Sequence, residues 1–237
     1  MILPMSRTLL IASCLGLAGH VFSKGEDAEG WKRQTVLVYR NAAETEVKFP
    51  GKDKVLFSNA DPQLAIEWAM ANAKNTVLLR GEYIVSDRID VPRSGVTLIV
   101  DKAAVLKLNP DTHHTTIGFK ARNPDYWAML PMIYNKGHDN FRVLMFGTLV
   151  KSKWETKDNG KQTLPVMFDG RNEKGNCGLK GGMMLVTGHA TDSFWLVDSS
   201  KVDVPILALD TGPGAALVLE GCEDCHLGMI ASVAPEP

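Results

Sequence analysis

Residues 75–110 read NTVLLRGEYIVSDRIDVPRSGVTLIVDKAAVLKLNP. Four short apolar runs follow one another almost end to end: Val77 to Leu79, Tyr83 to Val85, Val96 to Val100 and Ala103 to Leu108. Gly, Pro, Ser and a few charges separate them, and no segment of helical length lies between. Short Val-, Ile- and Leu-rich runs bounded by turn residues predict strands. Hairpins between them would carry two-residue Asn-Gly or Asp-Gly turns, but Asn159-Gly160 and Asp169-Gly170 fall in loops instead. Parallel strands in an ordinary sheet need long crossovers, usually helices. A chain escapes that need by coiling, so that each turn stacks on the last and aliphatic side chains fill the inside. The stretch therefore predicts an all-β fold, a parallel β-helix. A β-sandwich, whose strands recur at similar spacing, is the alternative.

Internal similarity favours the coil. MIYNKGHDNFRVLMFG (132–147), MLVTGHATDSFWLVDS (184–199) and ALVLEGCEDCHLGMIAS (216–232) each hold an apolar run, a Gly, an Asp and a second apolar run. The alignment puts Asp139, Asp192 and Asp224 in one place, and Phe141, Phe194 and His226 two residues on. On this alignment His226 is a packed core position. The unequal separations place insertions at the side of the stack.

One helix is expected, in NADPQLAIEWAMANAKNT. Asn59 or Asp61 can cap it and Pro62 suits its first position. Ile66, Ala69, Met70 and Ala73 share one face. A helix over 61–74, just before the first coil, can cover an open stack end, with Met70 to the core and Glu67 to water.

The chain has 237 residues, 45% apolar and 22% charged, with a formal net charge of -1. That balance offers no footprint for nucleic acid or an anionic membrane. The N-terminus, MILPMSRTLLIASCLGLAGHVFSKGEDAEG, has a basic Arg7, an apolar run from Thr8 to Gly19 and small residues before Lys24. It is too short to span a bilayer and reads as a secretory signal peptide over 1–23. The protein is then secreted or periplasmic. Ile11-Ala12-Ser13-Cys14 offers the alternative of a lipid anchor on Cys14. An extension with one or two strands follows over 24–58, of which QTVLVY (34–39) is strand-like, and the β-helix occupies 59–237. Export permits disulfides, and a pairing among Cys177, Cys222 and Cys225 stays open. Cys222 and Cys225 have C-x-x-C spacing, but no second such pair accompanies them, so thiols in a core are expected rather than a metal site.

The helix AIEWAMANAKN (65–75), then TVLLRGEYIVSDRIDVPRSGVTLIVDKAAVLKL (76–108) and DNFRVLMFGTL (139–149), resemble the right-handed parallel β-helix proteins of the pectin lyase-like superfamily. Within it they look most like the N-terminal half of polygalacturonase-type glycoside hydrolases. Arg80 stands where those proteins usually have Pro, and Val150-Lys151 where they have Asp-Gly. The resemblance covers roughly 60–232. It implies a right-handed solenoid with a capping helix, a polysaccharide partner, and glycosidic bond hydrolysis or elimination. The family's later Asn-Thr-Asp, Asp-Asp, Gly-His-Gly and Arg-Ile-Lys motifs are absent from this sequence, which implies that later coils are lacking. A noncatalytic carbohydrate-binding or surface β-helix, or an inactive fragment, is the alternative.

Hydrolysis needs two carboxylates several ångströms apart. Asp198, Asp203 and Asp210 flank apolar runs and are the catalytic candidates, against a plain reading as turn residues. Asp169 and Arg171, in FDGRNEKGNCGLKGG (168–182), suit an acidic sugar. Tyr126 and Trp127, in a loop between coils, suit stacking on a sugar ring. His189 is a candidate acid or base. No metal set and no cofactor motif is found: His113-His114 lacks a third ligand and no phosphate-binding Gly pattern occurs. The last coil ends near Ile230 with little to cover it, so association through that end is expected, blunted by Pro235 and Pro237.

Overall fold

A computed structural model describes residues 34–109, 111–112, 115, 117–120, 126–150, 161–169, 179–186, 194–210 and 217–233. The chain opens with β1 (Thr35–Asn41), β2 (Glu44–Lys48), β3 (Val55–Asn59) and helix α1 (Pro62–Asn72). There follow β4 (Asn75–Leu78), β5 (Gly81–Val85), β6 (Ile89–Asp90), β7 (Thr97–Val100), β8 (Ala104–Leu108), β9 (Ile117–Lys120) and β10 (Tyr126–Tyr134). The second half holds β11 (Arg142–Met145), β12 (Thr148–Val150), β13 (Lys161–Asp169), β14 (Leu179–Val186), β15 (Phe194–Val197), β16 (Ser199–Asp210), β17 (Leu217–Glu220) and β18 (His226–Val233). The protein is all-β with parallel sheets and, among the described residues, one helix.

Nine strands form one sheet in the order β18-β16-β14-β11-β7-β4-β1-β2-β3. A six-stranded sheet runs β17-β15-β13-β10-β6, with β9 beside β10, and a three-stranded sheet runs β12-β8-β5. From β4 onward the chain visits the nine-, three- and six-stranded sheets in that cyclic order three times. It then alternates between the nine- and six-stranded sheets through β18. Every pairing is parallel except β1–β2, β2–β3 and β9–β10. Among the described residues, parallel strands are reached without helical crossovers, as the opening stretch predicts.

Inward side chains line up from strand to strand. Val38, Leu78, Val100 and Met145 are in register across β1, β4, β7 and β11, and all are fully buried. Tyr83, Leu106 and Leu149 do the same across β5, β8 and β12, and Ile89, Ile133 and Val166 across β6, β10 and β13. Each fully buried aliphatic side chain contributes about 1.5–3 kcal/mol of apolar transfer. The ring of Tyr83 joins its ladder while its hydroxyl lies 2.8 Å from the carbonyls of both Val38 and Leu79. Burial pushes that phenol well above its usual value. Gly147 marks a tight passage between β11 and β12. A Cβ there would sit 2.4 Å from the Ala104 carbonyl oxygen and 2.5 Å from that of Asp101.

Asp61 caps α1, its carboxylate accepting from the Gln63 amide at 2.9 Å, and Pro62 opens the helix. Ala65, Ile66, Ala69 and Met70 are buried, and α1 packs across β1 through β6. Trp68 stacks on Phe57 of β3 at 5.1 Å. Glu67 departs from expectation. It is half-buried and accepts from the Asp90 amide at 2.9 Å instead of facing water.

Several other expectations change. The extension before α1 holds three strands, β1 to β3, and they continue the nine-stranded sheet as an antiparallel meander. Charged ETEVK hid β2, because its inward Thr45 and Val47 alternate with outward charges. The three similar segments are not in one phase. Residues 132–147 and 216–232 run from the six- to the nine-stranded sheet, whereas 184–199 runs the other way. His226 aligns structurally with Asp203 and, two strands further, with Arg142, not with buried Phe141. Its side chain is 76% exposed.

Between β14 and β16 the register shifts: Met183 pairs Asp203 and Leu185 pairs Ile206, so Val204 and Pro205 oppose Met184 alone. This bulge accommodates a proline, which has no N–H for the ladder. The next strand carries the same irregularity in step, since Asp203 pairs His226 and Ile206 pairs Met229. Gly228 then lies over Pro205, where a Cβ would come 2.3 Å from the Pro205 carbonyl oxygen.

Candidate functional site

Side chains alternate across a strand, so each sheet with an inner ladder also has outward rows. On the six-stranded sheet Asp90, Tyr134, Met167, Trp195 and Val218 are in register across β6, β10, β13, β15 and β17. Adjacent strands lie about 4.8 Å apart. The row thus places a carboxylate and two aromatic residues along one line, with Tyr134 and Trp195 two strands apart. The nine-stranded sheet carries a second row, in which Arg142, Met183, Asp203 and His226 are in register.

The first row begins at a charged cluster. Arg88 holds Asp90 through Nε at 2.7 Å and Nη2 at 3.4 Å, and its guanidinium lies 5.1 Å from the centre of the Tyr134 ring. Lys136 reaches the same carboxylate at 3.2 Å. Asp87, ionised beside Arg88, balances the second cation, so the cluster is highly polar and close to neutral, which suits a hydroxyl-rich ligand. Arg88 Nη1 also donates to the Thr115 carbonyl.

Behind Asp90 the cluster merges with the anchor of α1. Ser86 donates to Asp61 and to Gln63 Oε1, and Gln63 Oε1 accepts from the Asp87 amide at 2.8 Å. Burial pushes the Glu67 carboxyl above its usual range, against the pull of the Asp90 amide and the Gln63 side chain. Burial also acts upward on Asp87, but the Thr115 hydroxyl and amide and the Arg88 amide overcome it and hold that carboxyl low. Burial lowers His138, close to Lys136, which disfavours its charged form.

The predicted site residues scatter. Asp203 lies exposed on the nine-stranded sheet, 3.1 Å from His226 Nδ1. Asp198 is a left-handed corner residue with φ 43, and its amide donates to the Glu220 carbonyl at 2.7 Å. Asp210 sits in the same strand as Asp203 but seven residues on, about 20 Å along the strand. These three therefore give no carboxylate pair of glycosidase spacing, about 5–9.5 Å. Asp169 ends β13 opposite Val197. Tyr126 and Trp127, expected in a loop, begin β10 and pair with Lys120 and Phe119 of β9. Arg171 and His189 lie outside the described residues, as do Cys14, Cys177, His113 and His114.

The sequence reading missed Arg88, Asp90, Tyr134 and Lys136. Alternation after buried Ile89 marks Asp90 as outward, but β10 is buried on both faces from Leu130 to Ile133, so nothing local singles out Tyr134 or tells that the two align. Cys222 and Cys225 are free thiols, half-buried against the core, with Cys222 Sγ 3.2 Å from the Leu196 carbonyl oxygen. Burial pushes the Cys222 thiol up. Among the described residues no three His, Cys, Asp or Glu side chains converge to hold a metal ion, and no helix is long and apolar enough to cross a membrane.

No protein-family model, curated protein sequence or solved structure matches the chain.

Proposed function

We propose that this protein is an exported, right-handed parallel β-helix of the pectin lyase-like kind, and that it holds a polysaccharide along the outer face of its six-stranded sheet. The observation that carries the reading is the in-register row Asp90, Tyr134, Met167, Trp195, flanked by Arg88 and Lys136. Strands about 4.8 Å apart repeat at a spacing close to one sugar unit of an extended polymer. Aromatic faces stack on sugar rings, and the N–H donors of Arg88 and Lys136 suit sugar hydroxyls. The cyclic order in which the chain visits its three sheets supports the solenoid, and the N-terminal pattern supports export.

Binding is favoured over bond cleavage because Asp198, Asp203 and Asp210 do not come together. Catalysis is the second reading: the Glu67 carboxyl, raised by burial and by the nearby charge of Asp90, pairs a proton-holding carboxyl with an ionised one, as general acid chemistry does.

The test is affinity electrophoresis against polygalacturonate and neutral polymers, with reducing-end release and unsaturated-uronate absorbance followed in parallel. Retardation by at least one polymer is expected, weakened about tenfold by Tyr134→Ala or Trp195→Ala, the equivalent of about 1.4 kcal/mol. Product of either kind, abolished by Glu67→Gln, would instead establish catalysis. Mobility unchanged on every polymer would overturn the carbohydrate reading.

A further inference from the structure

The chain turns from β15 into β16 and from β17 into β18 along the same backbone path. Asp198 and Lys201 are left-handed, with φ 43 and 57, and Gly221 and Asp224 repeat them with φ 62 and 50. The two corners stack in step, since Ser200 pairs with Glu223 and Asp203 with His226. The Glu223 amide donates to the Ser199 carbonyl at 3.0 Å, and the Lys201 amide to the Glu223 carbonyl at 3.1 Å. Counted from these pairs, Cys222 lies over Ser199 and Cys225 over Val202. Ser199 and Val202 are each 1% exposed, so a corner of this kind turns its second and fifth residues inward.

In the second corner those two inward places both carry thiols. Cys222 and Cys225 pack half-buried against the core, while Glu223 and Asp224 between them are exposed. Cys222 Sγ lies 3.2 Å from the Leu196 carbonyl oxygen, and Cys225 Sγ lies 3.7 Å from that of Ser199. Burial, and after it the side chain of Cys225, push the Cys222 thiol up against the pull of the Ser199 backbone. The Ser199 backbone thus meets both sulfurs, and the sulfurs meet each other.

We propose that Cys222 and Cys225 form a redox site, a dithiol that an external disulfide closes into a bridge across the corner between β17 and β18. The two side chains share the inner side of one corner, as a bridge requires. The thiolate of one cysteine attacks the external disulfide and expels one thiolate. The thiolate of the other then attacks the protein sulfur of the mixed disulfide and expels the second. One S–S bond forms as one breaks, the external disulfide takes up two electrons, and the two cysteine protons pass to the departing thiolates. β17 and β18 have no further strand beside them among the described residues, so the bridge constrains the strands at that end of the sheets. The inference rests on this corner alone and not on the carbohydrate reading.

The experiment equilibrates the purified full chain with oxidised glutathione, quenches it with acid, and maps thiols by mass after trypsin digestion. Residues 202–237 contain no Lys or Arg, so Cys222 and Cys225 stay in one peptide, and Lys180 and Lys201 cut it away from Cys177. That peptide is expected to lose two hydrogens, to resist alkylation, and to regain both thiols with dithiothreitol. In Cys222→Ala the remaining Cys225 should stop at the glutathione adduct. The closed protein should melt a few degrees above the reduced one. That difference should vanish in Cys222→Ala with Cys225→Ala, checked for folding by circular dichroism, and survive in Cys177→Ala. A 202–237 peptide that keeps both thiols at every ratio of oxidised to reduced glutathione, a bridge to Cys177 instead, or a melting temperature that stays or falls on closure would each overturn the proposal.

Discussion

The first parallel strands of the chain and the last ones meet the same packing problem with different surroundings. Around β4 to β8 three sheets enclose the inner ladders, α1 lies over their end, and Leu78, Tyr83, Leu98 and Leu106 are fully buried. After β12 the three-stranded sheet gains no further strand among the described residues, and the chain alternates between two sheets until β18. There the same kind of residue in the same kind of position is left half open: Leu219 continues the row of Leu196 yet is 45% exposed. Burial in this protein therefore depends on a strand having neighbours on both sides, and much less on which apolar residue it carries.

The sharpest way to break that comparison is to cut equivalent side chains at the two ends. Leu106→Ala, in the middle of its ladder, should cost about 3 kcal/mol or more in urea unfolding, through lost transfer energy and a residual cavity. Leu219→Ala should stay within about 0.5 kcal/mol, as surface substitutions do. Equal losses would show that the terminal strand is covered in solution. Gly147→Ala comes next. Its methyl group would press on two backbone carbonyls that cannot give way, so about 2–3 kcal/mol of destabilisation is expected by thermal unfolding. Tyr83→Phe keeps the ring in the ladder and removes only the hydroxyl, leaving the Val38 and Leu79 carbonyls without that donor. A loss of about 1–2 kcal/mol should follow.

The smallest effect concerns pH and the anchor of α1. Burial raises the Glu67 carboxyl above its usual 4.5, so the folded state holds that proton more tightly than the unfolded chain. The stability this contributes is fully present below pH 4.5 and is lost as pH rises through the raised value. Glu67→Gln, which keeps an oxygen for the Asp90 amide, should flatten that slope in denaturation curves measured between pH 4 and pH 7. A slope unchanged in the variant would assign the pH dependence to another group.

Much of the fold was legible because it is local. The runs of 75–110, the Asp61 cap, Pro62 and the buried face of α1 all follow from residue type and spacing. What failed was phase. Each of the three similar segments reads as apolar run, corner, apolar run, so residues 184–199 look like 132–147 although they cross between the sheets in the opposite direction. His226 was misplaced as well: it is one residue out of register with Phe141, although those two segments run in the same direction. The candidate site was less legible still. Arg88, Asp90, Tyr134 and Lys136 come from two separate parts of the chain, and Trp195 from a third. Only the stacking of β6, β10, β13 and β15 puts them in one row.

The bulge at Val204–Pro205 has a consequence for how such a chain can change length. Because β18 repeats the extra residue of β16 in step, with Gly228 over Pro205, the irregularity is handed on from strand to strand. A single-residue deletion here in β18 alone would break its match with β16, while one at Val204–Pro205 alone would pair β16 evenly with β14 and leave β18 one residue too long. Paired deletions, one in each strand, would restore the match. Insertions and deletions in this half of the molecule should therefore be tolerated in couples, and a lone one should behave as a frameshift does in a gene.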